Sequence, residues 1–334
     1  PHALFFLMIR RAPSSTRKES SAASMCIRDS INTCQWDDEL LAAFDIPKSI
    51  LPRIRSSSEV YGHVRRRGPL PGVAISGILG DQQAAAFGQA CLAPGEAKIS
   101  YGTGNSLLLN VGAEPAKPAD GLISTVFYRL ADEEPVYALE GSIAVTGLAV
   151  RWLRDNMGFF NSSDDIEALA AEVEDNGGVY FVPAFSGIMA PRWREDARGT
   201  IVGLTRFANR NHIARAALEA TAYQTREVAE AMRKQADVQL KTVKVDGGMT
   251  ENKLLMQFQA DMLNCPVVRG ELRENASLGT AYAAGLAVDF WSSTDEIRAN
   301  WIPSDMWTPH MDQKTREELF HNWNKAVERS LNWA

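Results

Sequence analysis

VKVDGGMTENKLLMQFQADML, residues 243–263, decides the fold. Val243-Lys244-Val245 reads as a strand and Asp246-Gly247-Gly248 as a turn. From residue 251 the side chains of Leu254, Leu255, Phe258, Met262 and Leu263 recur on one helical face. Strand, double-glycine turn and helix in succession make one β-α step of an α/β sheet. A strand at 266–269 and a helix over 276–290 repeat that step, and a long helix at about 211–234 precedes it. Further upstream the pattern changes. Strands at 97–101 and 107–111 are joined by the tight Gly102-Thr103-Gly104-Asn105 turn, as in a hairpin. A strand at 136–139 runs into Glu140-Gly141-Ser142 and a helix through Arg154, and 179–183 is another buried strand. Earlier still, a strand at 73–79 leads through Gly80-Asp81-Gln82 into a small-residue helix over 83–90. Hairpins first and β-α steps later predict an α/β domain with a mixed sheet.

Composition sets the outer bounds. The 334 residues are 45% hydrophobic and 23% charged, ordinary values for globular protein with a sizeable core. A net charge of −6 argues against nucleic acid or an anionic membrane as partner, and the Arg65-Arg66-Arg67 run reads as a solvated turn. Cysteines 26, 34, 91 and 265 form no CxxC pair, which suits a reducing, cytoplasmic setting. The five histidines have no ligand spacing, so no structural metal site is expected. No apolar run approaches the ~18 residues of a membrane span.

Residues 1–30 show neither helical nor strand periodicity and resemble a translated sequencing-adapter read, so they are set aside as a non-native or disordered leader. Without them the chain has 30 basic and 39 acidic residues, a net −9. Trp36-Asp37-Asp38-Glu39 opens a short helix over 40–44, Pro47 and Pro52 mark a turn, and the Gly/Pro/Arg stretch 62–72 reads as an interdomain connection. The expected division is therefore 1–30 as leader, 31–72 as the tail of a first domain with its connection, and 73–334 as a second domain.

Three glycine turns are candidates for chemistry. Asp81 stands at a strand end and a helix start, where ligands gather in α/β sheets. Gly102-Thr103-Gly104 offers bare backbone N–H groups and a hydroxyl, as a polyphosphate requires. The turn at Gly247-Gly248, followed by Asn252, lets a nucleotide lie against backbone. Taken singly, each has a commoner structural reading: a helix cap, a hairpin turn and an αL turn. None is a P-loop or a Rossmann fingerprint.

Taken in order, GDQQAAAFGQ, AKISYGTGNSLLLNVG, YALEGSIAVTGLAVRWLRD, PAFSGIMAPRWREDARG and VDGGMTENKLLMQFQAD resemble the signatures of the FGGY carbohydrate kinases, in their glycerol kinase branch. The resemblance runs from about residue 31 to the end. It implies a ribonuclease H-like domain of the actin and hexokinase type, ATP with Mg²⁺, and phosphorylation of glycerol to sn-glycerol 3-phosphate. By that resemblance Asp81 is the general base, Gln82 helps to hold the polyol, Gly102, Thr103 and Gly147 meet the nucleotide, and Gly248 and Asn252 lie on its adenosine side. A homo-oligomer is implied at full length.

Two positions depart from the pattern. Ser106 stands where the family usually has an aromatic residue lining the polyol pocket, and Arg151 where some relatives have a neutral amide. The family's N-terminal phosphate loop does not occur before residue 31, so the polypeptide as given is expected to lack kinase activity. Two alternatives remain at this point: a kinase for another small polyol or ketose, and a non-catalytic nucleotide-binding module descended from such a kinase.

Overall fold

Side-chain alternation along β1 (Glu96–Tyr101) sets the layering of the molecule. Ala97, Ile99 and Tyr101 point into a large apolar core on one face of the sheet, and Lys98 points to the other. The computed structural model describes residues 19–21, 29–65, 70–117 and 121–334. The central sheet continues with β2 (Asn105–Gly112), β3 (Ile123–Tyr128), β4 (Val136–Ile143), β5 (Thr242–Asp246), β6 (Val267–Gly270) and β7 (Pro303–Trp307). Its seven strands lie in the order β7-β6-β5-β1-β2-β4-β3. The pairs β1–β5 and β5–β6 are parallel and the others antiparallel, so the sheet is mixed as predicted.

Helices cover both faces. The named helices are α1 (Asp81–Gly88), α2 (Gly147–Asp155), α3 (Arg210–Ala236), α4 (Lys253–Leu263), α5 (Asn275–Leu286) and α6 (Gln313–Arg329). The first core joins β1, β5 and β6 to α3, α4 and Trp323 of α6. A second core, with Phe87, Leu108, Phe127, Ala138 and Tyr282, seats α1 and α5 on the opposite face. Asn209 starts α3 with a reciprocal cap: its Oδ1 accepts the Asn211 amide at 2.9 Å, and His212 Nδ1 accepts the Asn209 amide at 3.3 Å.

The contact between α1 and α5 is backbone on backbone. A Cβ on Gly279 would stand 1.8 Å from the Ala84 carbonyl oxygen, and one on Gly88 would stand 2.1 Å from that of Asn275. Gln89 follows α1 and donates through Nε2 to Asp246 Oδ2 at 2.6 Å, and Asn275 donates to the same oxygen at 3.0 Å. Both helices are thus tied to the end of β5.

Several expectations need correction. The stretch 62–72, expected as an interdomain connection, is flanked by paired strands: Ser58–His63 pairs antiparallel with Ala74–Gly77, Val64 exchanges backbone hydrogen bonds with Gly72 and Val73, and 66–69 lie outside the described residues. Glu140-Gly141-Ser142, expected as the exit from a strand, continues β4 in register with Leu108, Leu107 and Ser106. The helix expected to reach 290 ends at Leu286, where the chain turns and the Phe290 amide bonds back to Gly285. Most of the 1–30 leader lies outside the described residues, as do Arg66, Arg67 and Cys26. Within that leader, Glu19–Ser21 pairs in parallel with Arg53–Arg55, and Asp29–Ser30 pairs with Gln35–Trp36. Among the described residues no helix is long and apolar enough to cross a membrane.

Candidate active site

The turn after β5 is shaped by two glycines with different constraints. Gly247 has φ +94°, and a Cβ there would stand 2.1 Å from the Tyr101 carbonyl oxygen, so only glycine lets the turn lie against the end of β1. Gly248 has no atom within 4 Å of where its Cβ would be, so its backbone faces open space. Asn252 caps α4, its Oδ1 accepting the Leu255 amide at 2.8 Å.

The opposing wall is the β1–β2 hairpin turn, which is fastened to the start of α2. The Thr103 carbonyl accepts the amides of Thr146 at 3.1 Å and Leu148 at 3.0 Å, satisfying donors that a helix start leaves free. Gly147 opens α2 so close to this turn that a Cβ would come within 2.4 Å of the Gly102 carbonyl oxygen. One helical turn later, Arg151 Nη2 donates to Thr103 Oγ1 at 2.8 Å. Between the walls lies a cleft of about 700 Å³ with Val150, Ile166, Leu218 and Met249 among its apolar lining. Gly102, Thr103, Gly147, Gly248 and Asn252 all line it, so the five residues singled out in the sequence on the nucleotide side meet in one place. Its size is that of a small-molecule or cofactor site.

Asp81 and Gln82 stand apart from that lining, at the start of α1. Gly80 is the N-cap, and Asp81 is the first helical residue, exposed, with Oδ1 accepting the Gln82 amide at 2.8 Å. The helix N-terminus favours a negative charge there. Gln82 Oε1 accepts from Lys98 Nζ, whose side chain is fully buried in β1. Burial pulls the Lys98 ammonium below the usual lysine pKa, while the fields of Asp246, Glu140, Cys91 and Asp81 act in the opposite direction. Glu140 on β4 is pushed above the usual carboxylate range by burial; Lys98 opposes this and Asp81 reinforces it. Beside it, the buried Ser106 hydroxyl bonds to the Glu140 carboxylate and works against that rise. Sequence reasoning gave Lys98 and Glu140 no role, although both lie within the quoted motifs. The available signal was a charged residue placed inside an otherwise apolar strand.

A mixed sheet of this order, with glycine turns lining a cleft at the ends of β1 and β5, is that of a ribonuclease H-like domain of the actin and hexokinase type. Within that class the chain belongs to the FGGY family of carbohydrate kinases: residues 97–288 match its C-terminal domain and residues 13–88 its N-terminal domain. The chain is 60% identical over 316 residues to a glycerol kinase of Nocardia farcinica, covering 93% of this chain and 63% of that protein. It is 62% identical over 299 residues to one of Azorhizobium caulinodans, covering 90% and 60%. A crystal structure of Plasmodium falciparum glycerol kinase with ADP is similar at TM-score 0.88 and 40% identity, over 91% of this chain and 61% of that one. A xylulose kinase from Lactobacillus acidophilus, at 20% identity and TM-score 0.82, shares the fold. The chain thus spans about three fifths of the length of the curated relatives it matches.

Proposed function

We propose that this chain carries the nucleotide cleft and the general base of an ATP-dependent glycerol kinase, which makes sn-glycerol 3-phosphate and ADP. The observation that carries the reading is the convergence of Gly102, Thr103, Gly147, Gly248 and Asn252 on one cleft with bare backbone on both walls. The relatives' names support glycerol as the acceptor. In this reading the adenosine lies along Gly248 and Asn252, and the phosphates meet the Gly102-Thr103 turn and Gly147. Arg151, held to Thr103, adds a cation on the phosphate side.

Asp81 takes the proton from the terminal hydroxyl of glycerol. An alcohol is a weak nucleophile at neutral pH, and an exposed carboxylate at a helix start, with one intramolecular partner, is suited to accept that proton. Mg²⁺ neutralises phosphate charge during transfer and needs only one or two carboxylates from a protein. Among the described residues no three acidic, histidine or cysteine groups cluster as a metal cage, so the ion is proposed to arrive with ATP. Cys34, Cys91 and Cys265 are buried free thiols, which supports a cytoplasmic setting.

The test is glycerol-dependent ADP release by the full-length protein. Asp81→Asn is expected to lower kcat by about 10²–10⁴-fold and to leave ADP affinity unchanged. Near-normal turnover in that variant removes Asp81 from the role. One observation favours a second acceptor: Ser106, in place of the family's usual aromatic residue, makes that wall more polar, as a longer polyol would use. Parallel assays with glycerol, erythritol and xylulose decide between them.

A further inference from the structure

Lys98 is buried to zero exposure in the middle of β1, and a buried ammonium is costly unless its donors are used. Among the described residues it forms no ion pair within 4 Å, although Glu140, Asp246 and Asp81 all lie close enough for their fields to act on it. Its hydrogen bond goes instead to the carboxamide oxygen of Gln82, next to the proposed base. An ammonium only donates, so this contact fixes which end of the carboxamide faces inward: the oxygen points to Lys98, and the NH2 is left to point away from it.

We propose that Lys98 is a positioning residue for polyol phosphorylation, locking the Gln82 carboxamide so that its two N–H donors face the acceptor's hydroxyl oxygens. The proposal rests on the kinase reading given above and deepens it at the acceptor side. Lys98 is four residues before Gly102, which follows the last residue of β1, about 13 Å along an extended chain, so one strand holds the acceptor clamp and leads into the phosphate turn. Without Lys98 the amide is free to rotate and present its oxygen, which repels hydroxyl oxygens unless they turn to donate.

The experiment is a double-mutant cycle in the full-length enzyme with Lys98→Met, Gln82→Ala and the two together, reading KM separately for polyol and ATP. Lys98→Met is expected to raise the polyol KM by roughly tenfold, the worth of one hydrogen bond of ~1.4 kcal/mol, with the ATP KM unchanged. In the Gln82→Ala background the same change should have little further effect. Equal losses from Lys98→Met in both backgrounds, or a matching rise in the ATP KM, overturn the proposal. Lys98→Met leaves Glu140 without its nearby cation and risks misfolding, so Gln82→Glu provides an independent arm. It keeps an oxygen for Lys98 and removes the outward N–H donors. A comparable rise in polyol KM supports the assignment, and an unchanged polyol KM overturns it. A wild-type protein that binds ADP and phosphorylates no polyol defeats the kinase reading itself. A working kinase whose variants keep their polyol KM defeats only the role of Lys98.

Discussion

The carboxamide of Asn252 is divided between two tasks. Its oxygen accepts the Leu255 amide and caps α4, and its NH2 remains for the cleft that the residue lines. Two substitutions separate these contributions. Asn252→Asp keeps a capping oxygen but removes the donors, so folding stability should hold while ADP affinity falls by roughly tenfold. Asn252→Ala loses both, with about 1 kcal/mol of stability gone as well. Thermal unfolding and ADP titration of the two variants check this, and equal ADP affinity in Asn252→Asp and wild type counts against the contact. At this scale the cleft-lining residues of the candidate site were legible in the sequence, because bare backbone is announced by glycine, whereas the capping role of Asn252 was not read there. What was not legible was the partner of Gln82. Lys98 and Gln82 are 16 residues apart, and only the packing of α1 over β1 brings them together.

At the scale of elements, the α1–α5 contact has no room for a methyl group. Gly279→Ala places a Cβ 1.8 Å from the Ala84 carbonyl oxygen, and backbone has to move. The expected cost is about 1–3 kcal/mol in urea unfolding, and an unchanged midpoint contradicts the close approach. A second element contact is pH-dependent. Burial alone would raise the Glu96 carboxyl, but the Arg298 guanidinium on helix Thr294–Asn300 and the Ala93 amide outweigh it and hold the pKa below the usual carboxylate value. A depressed acid contributes stability that is present above its unfolded pKa and is lost as the pH falls through the folded one. The stability gap between wild type and Arg298→Met should therefore be open at pH 7 and narrow below about pH 4. Urea midpoints at both pH values check it, and a gap of constant size refutes the assignment. Elements missed in the sequence have physical reasons. In β3, Ser124 and Thr125 are buried beside Val126 and Phe127, which erases the alternation expected of a strand. Edge strand β7 begins with proline and carries Asp305, so it reads as loop. Helix α6 does carry Trp323, Ala326 and Val327 at helical spacing, although the expected set of elements ended at 290.

For the molecule as a whole, the mixed sheet was legible because its two kinds of strand connection, tight turns and crossover helices, leave different spacings in the sequence. The antiparallel pairing of 58–63 with 74–77 was not, since Gly and Pro mark a turn and an interdomain linker alike. Ligand linkage gives a test of the cleft as a property of the folded chain. ADP at a hundred times its Kd should add about 2.7 kcal/mol and raise Tm by several degrees. Glycerol alone should add less, because the proposed reading puts the five cleft residues on the nucleotide side. A Tm insensitive to ADP would mean that the cleft does not bind nucleotide in this chain. The shared anchor at Asp246 has a mechanical consequence. Helix α1 is eight residues, a rod of about 12 Å, with Asp81 at its first residue and Gln89, just past its last, hooked to the carboxylate that precedes Gly247. Any displacement of the Gly247-Gly248 turn therefore pulls on Gln89, at the opposite end of this rod from Asp81.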